Sequence, residues 1–480
     1  MAGRFLRMFK PLSRFMPEVG APERKVSFNE KLFWTGIALT IYLIMCEVPL
    51  YGVGLAGGPE LSPLRVIFAS TRGSLMELGI GPIVTAGLIL QLLAGSGMIG
   101  FDQSDPEDRG LFTTASKVFA IIMTGVQASA YLIGGFYRGV STVTAIIIFT
   151  ELMAAGLVVI LLDELIQKGW GIGSGISLFI LAGVAQHIVW DSIATWPMPD
   201  GYYGALLHFI QTILRGQPLG ASFAVRKNPE TEEILNLPTM LGFVTTMAVF
   251  LIVIYAEGVR VELPVSYAQY RGFRGRYPIK LLYVSNLPVI FASALFANIY
   301  FISQFLWYRF NQNGTNFWLN LLGRFNVPRE GGQPEPVGGL AYYVTAPRSI
   351  SNVMEDPLRA LVFVGIMVLF CVIFSLTWLE VGGLGPGTVA KQLVDSGMHI
   401  PGFRRSQKPV ELILKRYIPA VTIIGGIIVG LIAAVADFFG VFGSGMGVLL
   451  SVGILYQYYQ LLMQERIVEM YPAMRRFLGG

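Results

Sequence analysis

The sequence predicts an all-α integral membrane protein with ten transmembrane helices. Three observations carry this reading. Of 480 residues, 54% are hydrophobic and only 14% charged, against roughly 25% charged in soluble domains. Apolar runs of about the 20 residues needed to cross a ~30 Å hydrocarbon core recur ten times. Lys and Arg also concentrate in alternate connections between those runs.

The runs lie near 32–53, 74–95, 112–135, 141–165, 172–190, 239–257, 281–306, 357–380, 418–436 and 441–464. Ahead of the first, MAGRFLRMFKPLSRF spreads its basic residues through an amphipathic pattern without an apolar h-region, so the N-terminus is expected to be retained. Residues 61–73, LSPLRVIFASTRG, are apolar but carry Arg65 and Arg72 and would rise only ~20 Å. They fit either a half-helix folded back against the bundle or a helix lying on the outer leaflet. The second run opens on Gly79-Ile80-Gly81-Pro82 and the fifth on Gly171-Ile172-Gly173-Ser174-Gly175-Ile176. Such interruptions occur in helices bordering a central pathway, and also in tight small-residue packing. Ile80 with Val84, and Ile172 with Ile176, have the i,i+4 spacing that places each pair on one helix face. Val159, in the fourth run, is expected to face lipid.

Ten spans place both termini on one side. The connections on that side hold 24 Lys and Arg, those on the other 11. The termini and the loops at 258–280 and 381–417 are therefore read as cytoplasmic. The one Asn-x-Ser/Thr sequon, Asn313-Gly314-Thr315, falls in a loop this places outside.

Several function classes find no support. Cys46 and Cys371 lie inside runs, and His187, His208 and His399 lack ligand spacing, so no disulfide framework, metal or other cofactor is expected. No nucleotide motif, nucleophile–base set or HExxH appears, so the chain is not expected to be an enzyme. A secondary transporter would need midplane ionisable groups. Glu151 is the one central candidate, and it is read as structural.

Thr85, Gln127 and Asn298 interrupt apolar runs. They suit either permanent interhelical glue or an interface held weakly enough to open. Arg260, Arg271, Arg274, Arg276 and Lys280 alternate with aromatics in the 258–280 loop, and Arg404, Arg405 and Lys408 occupy the 381–417 loop. Positive-inside bias accounts for the sign of that charge, and a surface that docks a phosphate-rich partner accounts for it equally.

The strings LGIGPIVTAGLILQLLAGSGMI, LLDELIQKGWGIGSGISLFI, YPIKLLYVSNLPVIFASALFAN, LKRYIPAVT and ADFFGVFGSGMGVLL run in order along the chain. Together they resemble the archaeal and eukaryotic branch of the SecY family of protein-conducting channels. The resemblance covers nearly the whole chain and is weakest at 191–238 and 307–340. It implies two pseudo-symmetric halves of five helices, 1–190 and 239–480, joined by an external hinge region at 191–238. It implies a pore ring at Ile80, Val84, Ile172, Ile176, Ile290 and Leu450, all aliphatic and suited to exclude water as a hydrophobic constriction does. It also implies a plug within 61–73 (Leu64, Arg65, Val66, Ile67, Phe68 and Ala69) and a lateral gate at Thr85, Gln127 and Asn298. The gate would admit signal sequences and release nascent transmembrane segments sideways into membrane lipid. Ribosomal RNA would be met by Arg271, Arg274, Arg276, Arg404 and Arg405. SecE-type and Sec-beta-type subunits are the expected partners, and the archaeal cell membrane, with the endoplasmic reticulum as alternative, the expected location.

Overall fold

The computed structural model describes the chain apart from residues 1–3, 12–15, 54–69, 72, 96–97, 100–105, 135–136, 138–140, 217–222, 228–233, 236, 268–273, 285–286, 312–313, 327–334, 397, 400–406 and 471–480. Its long helices follow the ten apolar runs in order: α1 (Phe28–Glu47), α2 (Gly81–Gly95), α3 (Pro106–Ile133), α4 (Thr142–Leu165), α5 (Gly175–Ile193), α6 (Met240–Gly258), α7 (Leu287–Phe310), α8 (Pro357–Val381), α9 (Gln407–Phe438) and α10 (Gly445–Met470). Eight of these, α3 to α10, are long and apolar enough to cross a membrane, whereas α2 has 15 residues and α1 carries Glu30, Lys31 and Glu47.

Local chemistry sets the helix starts. Ser27 and Glu30 form a reciprocal capping box on α1. Asp356 accepts from Arg359 N at 3.1 Å and precedes Pro357 at the first position of α8, where a missing N–H costs nothing.

Three starts differ from expectation. Residues 74–80 form turns rather than the first coils of α2, because their backbone is engaged elsewhere: Leu75 N donates to Val48 O at 2.9 Å, and Leu50 N to Gly73 O at 2.8 Å. The fifth helix starts at Gly175 and not near 172, since Gly173 has φ +76°. Helix α9 begins at Gln407, well before 418. Its first turns carry charge, but Val410, Leu414 and Ile418 recur every four residues and pack on Val389, Ala390 and Leu393 of the helix Pro386–Asp395.

The segment read as a loop at 258–280 is an antiparallel hairpin of β1 (Arg260–Tyr267) and β2 (Arg274–Lys280). β3 (Met398–His399), from the α8–α9 connection, pairs with β1, so the two basic loops form one sheet of order β2-β1-β3.

The main apolar cluster draws on both ends of the sequence, including Tyr42, Met76, Phe179, Phe296, Phe363 and Leu450. Val159 belongs to it and is 1% exposed, contrary to the expected lipid-facing position. Ala155, Val159 and Leu162 form an inward i,i+4,i+7 stripe that uniform apolarity conceals. Leu251 and Leu361 do face outward.

Candidate functional site

The six candidate ring residues come from α2, α5, α7 and α10 and the turns before them. Ile80, Val84 and Leu450 are buried in the main cluster, Ile176 and Ile290 pack against it, and Ile172 is buried beside it. Val84 N donates to Ile80 O at 3.0 Å, a helical bond that puts this pair on one face as its spacing predicts. Ile172 and Ile176 do not share a helix face, because the left-handed Gly173 separates them. Ile172 N instead donates to Thr35 Oγ1, and Ile176 N to Asp163 Oδ1, both at 3.0 Å.

The two helices that end each run of five are seated alike. Asp163, near the end of α4, accepts from Ile176 N at the start of α5; Asp437, near the end of α9, accepts from Gly445 N at the start of α10 at 2.6 Å. A carboxylate suits the positive end of a helix dipole. Each α-helix also opens on a glycine that lets its predecessor approach. A Cβ on Gly175 would lie 2.7 Å from Asp163 Cα, and one on Gly445 would lie 2.3 Å from Ala433 O.

A seam beside the cluster separates α2 and α3 from α7 and α8. Asn298 Nδ2 donates across it to Thr85 Oγ1 at 3.1 Å and along its own helix to Ala294 O at 2.8 Å. Tyr131 of α3 stacks on Phe301 of α7 with centroids 5.0 Å apart. Gln127 is half-buried on α3, and no hydrogen bond among the described residues joins it to Thr85 or Asn298. Toward the other end of α2 the seam holds a small cleft lined by Leu88, Gln91, Phe291, Phe374 and Trp378. Gln91 Oε1 is buried there without a hydrogen-bond partner among the described residues.

The plug candidates Leu64, Arg65, Val66, Ile67, Phe68 and Ala69 lie outside the described residues, as do Arg271, Arg404 and Arg405. The end of the 61–73 segment is tied to the turn that follows it: Gly73 N donates to Glu77 Oε2, and Thr71 N to Met76 O at 3.0 Å. Arg274 lies in β2, opposite Ser266 in the hairpin register. Arg276 pairs with Glu262 at 2.5 Å on an exposed surface. That hydrogen bond, reinforced by the carboxylate charge, moves the arginine's pKa further up.

A family model for SecY matches residues 74–459. The chain belongs to the SecY family. A second model, the plug domain of Sec61p, matches residues 41–73. The protein translocase subunit SecY of Pyrococcus furiosus is 42% identical over 98% of both chains. A solved protein-conducting channel superposes with TM-score 0.80 at 38% identity, covering 97% of this chain and 99% of the other. Sec61 in a canine ribosome–channel complex from the endoplasmic reticulum gives TM-score 0.78 at 37% identity with the same coverage. The ten-helix, multi-pass membrane fold of this SecY-family chain is thus shared along its whole length.

Sequence reasoning missed Asp163, Asp437 and Gln91 as parts of the site. The carboxylates sit at span ends, where charge needs no explanation, and Ser174 and Ser444 stand as ordinary N-cap residues before the helices they seat. Gln91 did carry a signal, being the one amide in GPIVTAGLILQLLAG. Glu151 has a structural partner, since its Oε2 accepts from Tyr51 N at 3.0 Å.

Proposed function

We propose that this chain is the pore-forming subunit of a protein-conducting channel, with Ile80, Val84, Ile172, Ile176, Ile290 and Leu450 as its waist and the seam between α2–α3 and α7–α8 as its lateral gate. One observation carries the reading. Aliphatic side chains from α2, α5, α7 and α10 meet at one apolar cluster, and the seam beside it is bridged by the hydrogen bond between Asn298 and Thr85. A greasy waist excludes water and ions by dewetting and binds no particular side chain of a passing polypeptide. A signal sequence entering the seam would exchange weak polar contacts for apolar burial at ~25 cal/mol per Å².

The matched pair of helix caps at Asp163 and Asp437 supports two pseudo-symmetric halves, 1–190 and 239–480, with the hinge region at 191–238. Residues 61–73 act as the plug, in keeping with the family match over 41–73. The basic sheet and its flanking tips, with Arg271, Arg274, Arg276, Arg404 and Arg405, dock ribosomal RNA. A SecE-type and a Sec-beta-type subunit complete the complex. The subunit is a conduit and not an enzyme, so the ribosome or another partner supplies the driving force. It works in the archaeal cell membrane, with the endoplasmic reticulum membrane as the alternative, and both termini lie in the cytoplasm, an orientation that the excess of basic residues there supports.

The test is photocrosslinking from Ile80 and Ile290 to a stalled secretory chain on bound ribosomes. Leu361, exposed on α8, serves as the lipid-facing control in place of the buried Val159. Adducts at the ring positions and none at Leu361 are expected. Absence of adducts at both ring positions in a ribosome-bound complex would refute the pore assignment.

A further inference from the structure

The connection between α5 and α6 contains a ten-residue helix, Ala205–Leu214, whose amphipathicity is inverted relative to a water-facing helix. Its polar residues point into the protein. His208 Nε2 lies 3.4 Å from Asp200 Oδ2, Gln211 Oε1 accepts from Tyr202 N at 3.2 Å, and Thr212 is buried. Its outward face is apolar: Ile210 and Ile213 are half exposed and Leu214 is 82% exposed. Water-soluble helices place these faces the other way round.

The height of this helix is fixed. Gly204 N donates to Ala194 O at 2.9 Å, and Tyr203 N to Trp196 O at 2.8 Å, so Ala205 starts level with the point where α5 ends at Ile193. At that end of α5 Val189, Trp190 and Ile193 are exposed, as are Trp196 in the connection and Ile210, Ile213 and Leu214 on the short helix. Trp190 and Trp196 are the residue type that gathers where hydrocarbon meets headgroups. Ten residues rise only ~15 Å, too little to cross the bilayer.

We propose that Ala205–Leu214 is an interfacial helix whose outward face is embedded in bilayer lipid, at the boundary of acyl chains and headgroups on the side opposite the termini. Arg226 makes the anchor stiff. Its side chain is fully buried and bonds Asp200 through two nitrogens at 2.7 and 2.9 Å, and also the carbonyls of Tyr202, Tyr203 and Pro238. The helix, the end of α5 and the approach to α6 are thereby tied together, so the connection between the halves rests on the membrane surface instead of hanging in water.

The experiment places a nitroxide at residue 210 or 214 of the complete complex, purified with its subunits and held in lipid nanodiscs, and measures collision with oxygen and with a water-soluble nickel chelate. Labels at Leu251, facing outward on α6, and at Arg276, on the exposed sheet, mark the lipid and water extremes. The native Cys46 and Cys371 are buried. Oxygen-rich, nickel-poor collision at both sites, with a depth between the two markers and ~5–10 Å into the boundary region, is the expected result. Nickel collision matching Arg276 would mean a water-facing helix, and loss of both collisions would mean cover by a partner subunit; either result overturns the proposal.

Discussion

In the gate proposed above, the hydrogen bond between Asn298 and Thr85 sets a measurable bias toward the closed state. Thr85→Val keeps the shape of the side chain and removes the acceptor 3.1 Å from Asn298 Nδ2, which retains Ala294 O as a partner. Hydrogen bonds between membrane helices contribute about 0.6 kcal/mol on average and up to ~1.7. At ~1.4 kcal/mol per tenfold, loss of this one shifts the closed–open equilibrium toward open by about threefold, with a ceiling near 15-fold. The assay is open probability of the purified complex in planar bilayers, read for Thr85→Val, Asn298→Leu and the double variant. Because the two residues share one bond, the double variant should open no more than the stronger single one plus whatever Asn298→Leu adds through packing. Strictly additive effects, or an open probability that falls in Thr85→Val, would show that this contact does not hold the seam shut.

Other expectations follow from the same contacts. Asp163→Ala and Asp437→Ala each remove a cap, and each should cost about 1 kcal/mol, within the 0.5–2 range of such losses, in thermal unfolding of the complex. Arg226→Gln leaves the Asp200 carboxylate without its bidentate partner; breaking a buried pair costs ~3–5 kcal/mol, and faster proteolysis confined to 191–238 should report it. His208 is held neutral, because burial and the neighbouring Arg226 move its pKa below 6.5. The unfolded chain therefore takes up the proton first as pH falls, so this part of the stability is lost on acidification below about 6.5, and a melting series from pH 7.5 to 5 should flatten in His208→Asn. Glu151→Gln retains an acceptor for Tyr51 N and should leave both assembly and translocation intact; assembly with loss of transport would favour a coupled transporter.

The ten helices were legible because each run is uniformly apolar and its charges gather at the ends. Where a helix carries charge on one side and buries the other, as α9 does from Gln407 to Ile418, averaged hydropathy reads it as loop. The hairpin of β1 and β2 was hidden for a related reason: its ladder is made by backbone groups, and β3 lies more than a hundred residues away in sequence. At the site, the i,i+4 spacing held for Ile80 and Val84 and failed for Ile172 and Ile176, where a single positive φ at Gly173 breaks the helix. That angle depends on how the turn packs against Thr35 and Tyr458, contacts no local pattern contains. The ring as a set came from motif resemblance, since an aliphatic residue looks the same whether it faces a pore, a neighbour or lipid. The 191–238 connection gave the least warning, because its organiser is one buried arginine in a segment otherwise read as a surface loop.

The pairing of β1 with β3 has a mechanical meaning. The hairpin joins α6 to α7, and β3 belongs to the connection from α8 to α9, so four helices share a crossbar on one face of the protein. A load applied to the sheet is divided among all four. One of them, α7, carries both Ile290 and Asn298, so on the proposed assignments a weight settling on the basic sheet pulls on the waist and the lateral gate together.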